Sequence, residues 1–383
     1  MKYRSLGRLN WKVSALGFGA MRLPTLDDDA AKIDEPQAVE MIRYAIDHGV
    51  NYVDTAYPYH RGNSEVVVGK ALRNGYREKV KLATKMPVWL VNSKQDMDKY
   101  LDEQIQKLGT QPDFYLLHGL DKERWPKLKR LGVLDWAERK IDEGEFSHLA
   151  FSFHDKFEAF KEIVDGYDHW AFCQIQYNYV DTEYQAGTRG LKYAASKGLA
   201  VVVMEPVAGG RLAIKPPTEV EEILVKAQTK RTQAELALLW VWAHPEVSVA
   251  LSGMSTMQQV VENVRTADIS TTALTKEDMK LIEDLTAKYR ELGFVGCTGC
   301  RYCLPCEQGV NIPEIIARYN EYFASSGADE IKAKYWEHIT PESQAKRCAR
   351  CAKCEELCPQ HLPIREILSA AAWEFEQPPK PST

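Results

Sequence analysis

Eight short apolar runs, each followed by a stretch long enough for a helix, constrain this chain more than any other feature. The runs are VSALGFG (13–19), NYVDT (51–55), VKLATK (80–85), DFYLLH (113–118), SHLAFS (147–152), AFCQIQY (171–177), LAVVVM (199–204) and VSVALS (247–252). Between them, EPQAVEMIRYAIDHG (35–49) places Val39, Ile42, Ala45 and Ile46 at helical spacing, with Gly49 where a helix C-cap belongs. Segments 97–109, 232–243 and 256–265 have the same character. Strands alternating with helices pair in parallel through right-handed crossovers. Eight such units in about 250 residues match the size of a closed (β/α)8 barrel. An open doubly wound sheet is the alternative, and it favours a Gly-rich phosphate turn after the first strand. GFGAMR (17–22) lacks the third Gly of that turn and runs into no immediate helix pattern.

At 383 residues the chain is too long for that barrel alone. Of its nine cysteines, eight fall between Cys297 and Cys358 and only Cys173 lies outside. This break in composition divides the chain into a barrel over 1–290 and a small domain over 291–383. The net charge of −5 argues against nucleic acid as a partner, since phosphate binding draws on a Lys and Arg excess. The apolar stretch 236–243 falls far short of the roughly 20 residues of a membrane span. The basic opening has no apolar core behind it, so a cytoplasmic enzyme is the expectation.

A barrel of this kind carries its chemistry at the C-terminal ends of its strands. There the sequence sets Asp54 at the end of the second run with Tyr59 just beyond it, Lys85 at the end of the third and His118 at the end of the fourth. Each has a bland reading: a turn cap, a packed ring, a snorkelling amine, a satisfied core imidazole. Together they form a set suited to carbonyl reduction. Hydride delivery to a carbonyl carbon builds charge on oxygen and calls for a proton donor. A phenol is a poor donor near neutrality unless a neighbouring ammonium lowers its pKa. Tyr59 then acts as acid, Lys85 as tuner, Asp54 as the anchor of Lys85, and His118 as the group that orients the carbonyl.

The stretch YVDTAYPYHRGNSEVVVGKAL (52–72), with Thr84-Lys85 and Leu117-His118, resembles the aldo-keto reductase signature. The resemblance spans about residues 1–285. It implies NADP or NAD lying extended across the barrel mouth. By position, Ser152 and Gln174 would hold the nicotinamide carboxamide, and Gly209, Gly210 and Arg211 would line the pyrophosphate loop. Glu262 and Asn263 match the adenine-end pair. Met204 stands where many members carry an aromatic ring against nicotinamide. Gly253 and Gln259 replace the Lys and Arg that many NADP-specific members aim at the 2′-phosphate. Arg265 is the nearest base left, so the expectation is no strong preference between the coenzymes.

The tail contains Cys297-x2-Cys300-x2-Cys303-x2-Cys306 and Cys348-x2-Cys351-x2-Cys354-x3-Cys358-Pro359. The second is the bacterial ferredoxin run, in which the fourth Cys ligates the other cluster. On that pattern one 4Fe-4S cluster takes Cys297, Cys300, Cys303 and Cys358, and a second takes Cys348, Cys351, Cys354 and Cys306. The first motif departs from the pattern by its x2 spacing before Cys306. Residues 307–347 read as helices, resembling helical dicluster ferredoxins. Zinc is the alternative for any Cys-x2-Cys pair, and disulfides do not suit a reducing cytosol.

Two functions follow. In one, an oxidoreductase acts on a small carbonyl or alcohol while its clusters exchange electrons with a protein partner. Hydride moves two electrons together and each cluster moves one, so a flavin is the group that would split the pair. In the other, the clusters are structural or redox-sensing and the barrel is a binding module with little catalysis. Trp89 and Tyr57 are candidates for the substrate pocket or the core, His148 and His154 flank the fifth run, 121–130 reads as a solvated helix face, and 377–383 as a frayed end.

Overall fold

The structure, a computed structural model, describes residues 1–27, 29–269, 274–324 and 328–376. The Pro-rich end at 377–383 lies outside the described residues. Packing groups the chain into two compact units. The first comprises Met1–Val207 and Gln233–Leu274, the second Ala208–Thr232 and Thr275–Thr383.

The first unit opens with an antiparallel hairpin, β1 (Tyr3–Leu6) and β2 (Leu9–Ser14). Eight parallel strands follow: β3 (Leu16–Gly19), β4 (Tyr52–Asp54), β5 (Lys81–Met86), β6 (Phe114–Leu120), β7 (His148–Phe153), β8 (Phe172–Gln176), β9 (Ala200–Met204) and β10 (Val247–Ser252). They close in chain order, with β10 hydrogen-bonded to β3. Each of the eight apolar runs supplies one of these strands, and the sheet is a closed (β/α)8 barrel rather than an open one.

The run 13–19 divides. Its first residues end β2 and only Leu16–Gly19 enters the barrel, with Ser14 Oγ donating to the Leu16 carbonyl at the corner. Leu6 and Val13 of the hairpin are buried among Tyr52, Phe114, Phe172, Ala200 and Val202, with Leu9 and Trp11 packed on them. The hairpin turn at Gly7 lies against Ala200, the first residue of β9. The hairpin therefore caps the end of the barrel where strands begin. The opposite end, where strands finish, is where barrels of this kind place their chemistry.

Helices are set by local signals. Asp34 caps Glu35–Asp47 by accepting from the Gln37 amide, and Ser93 with Asp96 forms a reciprocal capping box on Lys94–Leu108. Gly109 ends that helix at φ 69°, a left-handed position that favours glycine. Helix Gln233–Trp242 is buried almost all round, which explains its unbroken apolar sequence.

In the second unit, helices Ile312–Ala324, Ala328–His338 and Ile364–Phe375 enclose a small core of Val310, Ile315, Ile316, Ile331, Tyr335, Ile339, Leu368 and Ala371. Tyr335 and Phe375 stack with centroids 4.5 Å apart. Cys297, Cys303, Cys306, Cys348, Cys354 and Cys358 pack partly buried on this core. Segment 208–232 precedes the last barrel strand in sequence and packs with the cysteine-rich unit.

Candidate active site and cysteine-rich tail

The register of the barrel brings the tetrad together. Asp54 ends β4 and pairs with Ala83, two residues before Lys85 on β5, while Lys85 pairs with Leu116, two residues before His118 on β6. Side chains two apart on a strand share a face, so the three converge at the same level. Lys85 Nζ donates to Asp54 Oδ1 at 2.5 Å, to the Thr55 carbonyl at 2.8 Å and to Tyr59 Oη at 3.2 Å. The Tyr59 and His118 rings meet edge-on with centroids 6.0 Å apart, and Trp89 lies 5.2 Å from His118. All four tetrad residues are buried, Lys85 to 1% exposure.

Burial dominates the electrostatics. It pushes the Lys85 ammonium down and the Asp54 carboxyl up, and their mutual attraction opposes both shifts. Burial also drives His118 well below 6.5, helped by Lys85, His154 and Arg124. A neutral imidazole is the form able to donate one N–H to a carbonyl oxygen without carrying a charge into the site.

The turn that carries Tyr59 is held by residues that sequence reasoning missed. His60 and Arg61 both sit at left-handed φ, 51° and 53°. His60 Nδ1 bonds the Ala30 carbonyl, and its Nε2 accepts from the Leu23 amide at 3.1 Å, which fixes the neutral tautomer. Ser64 contacts Thr55 Oγ1 at 2.9 Å and donates to the Ala20 carbonyl at 2.8 Å, tying the turn after β3 to that after β4. Positive φ at non-Gly residues leaves no compositional mark, so only the His-Arg-Gly succession hinted at this turn. Tyr57 packs away toward helix Lys94–Leu108, donating to Glu103 at 3.0 Å, with its phenol pushed up to about 12 by burial and then Glu103.

Ser152 on β7 and Gln174 on β8 are ladder partners. Ser152 Oγ accepts from the Gly119 amide at 2.7 Å, and Gln174 Oε1 is buried with no hydrogen-bond partner among the described residues. An orphaned buried acceptor fits an incoming carboxamide N–H. Met204 ends β9, half-buried. At the far rim, Asn263 donates to Ser252 Oγ at 3.0 Å, Gln259 Oε1 accepts from the Ser255 amide at 2.7 Å, and Glu262 Oε1 accepts from Gln258 at 2.8 Å. These and Gly253 surround one loop. Gly209, Gly210 and Arg211 belong to the second unit, where a Cβ on Gly209 would lie 2.6 Å from Thr298 Cα. Arg211 lies over the rings of Tyr289 and Phe294.

The tail thiols lie close to one another, across the two cysteine runs as well as within them. Cys303, raised chiefly by burial, is raised further by Cys300, Cys297, Cys358 and Cys354 in that order. Cys354, pushed up to about 11, has Cys348 and Cys306 among its neighbours. Cys358 of the second run thus lies near Cys303 of the first, and Cys306 of the first near Cys354 of the second. Among the described residues no three His, Cys, Asp or Glu side chains converge tightly enough to hold a single ion. Among those residues, too, no helix is long and apolar enough to cross a membrane.

A family model described as the aldo/keto reductase family matches residues 15–287, and one described as a 4Fe-4S dicluster domain matches 296–363. An uncharacterised oxidoreductase of Bacillus subtilis is 24% identical over 74% of this chain and 96% of its own length. L-galactose dehydrogenase of Arabidopsis thaliana is 27% identical over 76% and 96%. Among solved structures, an aldo-keto reductase of Bacillus halodurans superposes with a TM-score of 0.61 at 28% identity, covering 74% of this chain and 96% of that one. An aldo-keto reductase of Klebsiella pneumoniae in complex with NADPH gives a TM-score of 0.60 at 26% identity, covering 75% and 96%. With the tetrad assembled in a closed barrel and that family's pattern running through it, this oxidoreductase belongs to the aldo/keto reductase family and carries a 4Fe-4S dicluster domain in its tail.

Proposed function

We propose that the barrel of residues 1–290 interconverts a small carbonyl compound and its alcohol with NADP or NAD, and that the domain of residues 291–383 binds two 4Fe-4S clusters. The observation that carries the first half is the Lys85 ammonium, bonded at once to Asp54 and to the Tyr59 hydroxyl. The bound coenzyme supplies hydride to the carbonyl carbon. The residues do the rest. Tyr59 Oη gives its proton to the carbonyl oxygen as the C=O electron pair moves onto it, leaving one new C–H and one new O–H bond. Lys85 stabilises the phenolate left on Tyr59, Asp54 keeps Lys85 charged, and solvent returns the proton. Neutral His118 donates to the same oxygen and fixes its direction. Gln174 and Ser152 hold the carboxamide, consistent with the NADPH bound by the Klebsiella relative.

Support for the tail comes from Cys358 lying with Cys300 and Cys297 beside Cys303, and Cys306 with Cys348 beside Cys354. The ferredoxin pattern then assigns Cys297, Cys300, Cys303 and Cys358 to one cluster and Cys348, Cys351, Cys354 and Cys306 to the other. Thiolates around a cubane stand at separate irons, whereas zinc draws four donors onto one point. Each cluster exchanges one electron, with a flavin as the group able to split a hydride pair and a redox protein as partner. A second reading, in which the clusters are structural or redox-sensing, draws on the close packing of Thr298 in the first cysteine motif against Gly209.

Anaerobic turnover of a panel of aldehydes and ketones with both coenzymes tests the first half, and no turnover of any would overturn it. Iron and sulfide near eight of each per chain are expected for the tail, and stoichiometric zinc would remove the clusters. Bleaching of cluster absorption on adding reduced coenzyme, with or without flavin, separates relay from a structural role.

A further inference from the structure

Behind the tetrad lies a second buried carboxylate to which the reaction above gives no part. Glu65, on helix Ser64–Ala71, has no exposed surface. Thr84 Oγ1 donates to its Oε1 at 2.6 Å, and Gln104 Nε2 donates to the same oxygen. That nitrogen also donates to the Lys85 carbonyl at 3.1 Å, while Gln104 Oε1 accepts from Tyr115 Oη at 2.7 Å, which sets the direction of the amide. Thr84 and Lys85 are successive residues of β5 and point to opposite faces of the strand. Glu65 therefore lies on the helix side of β5, and the Lys85 ammonium, bonded to Asp54 and Tyr59, on the other.

A tie between helix and strand does not call for a charge. One oxygen of Glu65 accepts both bonds, and a neutral amide could offer as much. The other oxygen, Oε2, is buried and has no hydrogen-bond partner among the described residues. Its ion-pair partner is Lys107 Nζ, 3.9 Å away and 4.3 Å from the centroid of the Tyr57 ring. Burying a charge costs more than burying an amide, so packing alone does not account for the carboxylate. What the position supplies is a field. Buried charges act on one another with little screening, and Asp54 first and Glu65 after it favour the charged form of Lys85 against the effect of burial. The other titratable groups facing the two residues are Tyr57 and Tyr59 after β4, Tyr115 and His118 on β6, and Lys107. Asp102 and Glu103 act on Tyr115 and Tyr57 instead.

We infer that Glu65 is a positioning residue for the Lys85 ammonium: from behind β5 its buried carboxylate supplements Asp54 in keeping that ammonium charged beside Tyr59. The inference rests on the reading of Lys85 as the cation next to the proton donor. Lys107 sets the strength of the effect from the far side, because it neutralises part of the Glu65 charge.

The test follows the Lys85 amine itself, by carbon-13 NMR of the full chain labelled at lysine Cε, with Lys85→Met assigning its resonance. Glu65→Gln keeps the shape and removes the charge, and it should lower the titration midpoint of Lys85 by about half a pH unit to one unit. Lys107→Met frees the Glu65 charge and should move the midpoint the other way by a smaller amount. Since Lys107 is partly exposed, that variant decides alone if Glu65→Gln misfolds. An unmoved midpoint in the folded variants, or a shift of both in one direction, would overturn the inference. In a second arm, kcat/KM for NADPH-driven reduction of 4-nitrobenzaldehyde is followed against pH. Loss of a negative charge eases the first proton loss from the coupled Lys85–Tyr59 pair, whichever member gives it up, so the basic limb should move to lower pH in Glu65→Gln. A merely structural role would leave that limb in place and would overturn the inference. A shifted amine in a chain that turns over no carbonyl at all would uphold the role of Glu65 and sink the enzymatic reading instead.

Discussion

The barrel mouth and the cysteine-rich tail reach order by opposite routes. In the mouth, polypeptide alone completes the site: Lys85 finds a carboxylate, a carbonyl and a phenol within hydrogen-bonding distance, and the strand ladders set their level. In the tail, half-buried thiols crowd one another, and each raises its neighbours' cost of ionising. That crowding is unfavourable without a cation to share the thiolates. On the proposed function, the mouth is preorganised for a ligand that comes and goes, and the tail for an inorganic group that stays. The first should survive loss of its cofactor and the second should not.

Stripping iron with an anaerobic chelator should therefore have the largest effect. Metal binding at such sites is coupled to folding, and the tail core of Val310, Ile315, Ile331 and Phe375 packs directly on six of the cysteines. We expect helices Ile312–Ala324 and Ile364–Phe375 to lose protection in hydrogen exchange while strands β3 to β10 keep theirs. Because Thr298 packs on Gly209, loop 208–211 should loosen with the tail. Full protection of the tail after iron loss would erase the contrast between the two regions.

Next in size are changes within the tetrad. Tyr59→Phe removes the proposed proton donor and should lower kcat by about 10²- to 10⁴-fold, as general acids do, while coenzyme titrations stay unchanged. Retained turnover would refute the acid assignment. Asp54→Asn breaks a fully buried ion pair and should destabilise the barrel by about 3–5 kcal/mol, read from denaturant midpoints. A loss below about 1 kcal/mol would mean that the pair stands in water.

How much of this was legible in sequence depends on whether a feature is local. The eight strands were, since β-branched runs bounded by turns report their own conformation. So was the tetrad, because a parallel barrel carries strand ends to one rim whatever the loops do. The hairpin Tyr3–Leu6 and Leu9–Ser14 was not: its second strand merged with the barrel run across Ala15, although Leu9 to Lys12 alternate half-buried and exposed. His60 was invisible for another reason. Its role comes from a turn whose partners, Ala30 and Leu23, are placed by tertiary structure alone. The association of 208–232 with the tail is equally nonlocal.

The smallest effect concerns acid. His118 is held well below 6.5 by burial, then by Lys85, His154 and Arg124, and His148 below 6.5 by burial and Lys81 against the pull of Asp113. In the unfolded chain each imidazole takes up a proton as pH falls through 6.5, whereas in the folded chain it does so only further down. The unfolded state thus binds more protons in that window, and stability falls with falling pH by at most about 1.4 kcal/mol per unit for each imidazole. Asp54 and Glu65 are raised by burial and act in the opposite sense, favouring the folded state as they protonate. Comparing variants removes their contribution. The stability difference between His118→Asn and the unaltered chain should change with pH below 6.5 and be flat above it. His148→Asn, half-buried at the start of β7 away from the tetrad, should show a weaker version of the same slope. A flat difference for His118→Asn would mean that its imidazole ionises as freely folded as unfolded. The mouth would then be wetter than its packing implies, and the contrast with the tail would narrow.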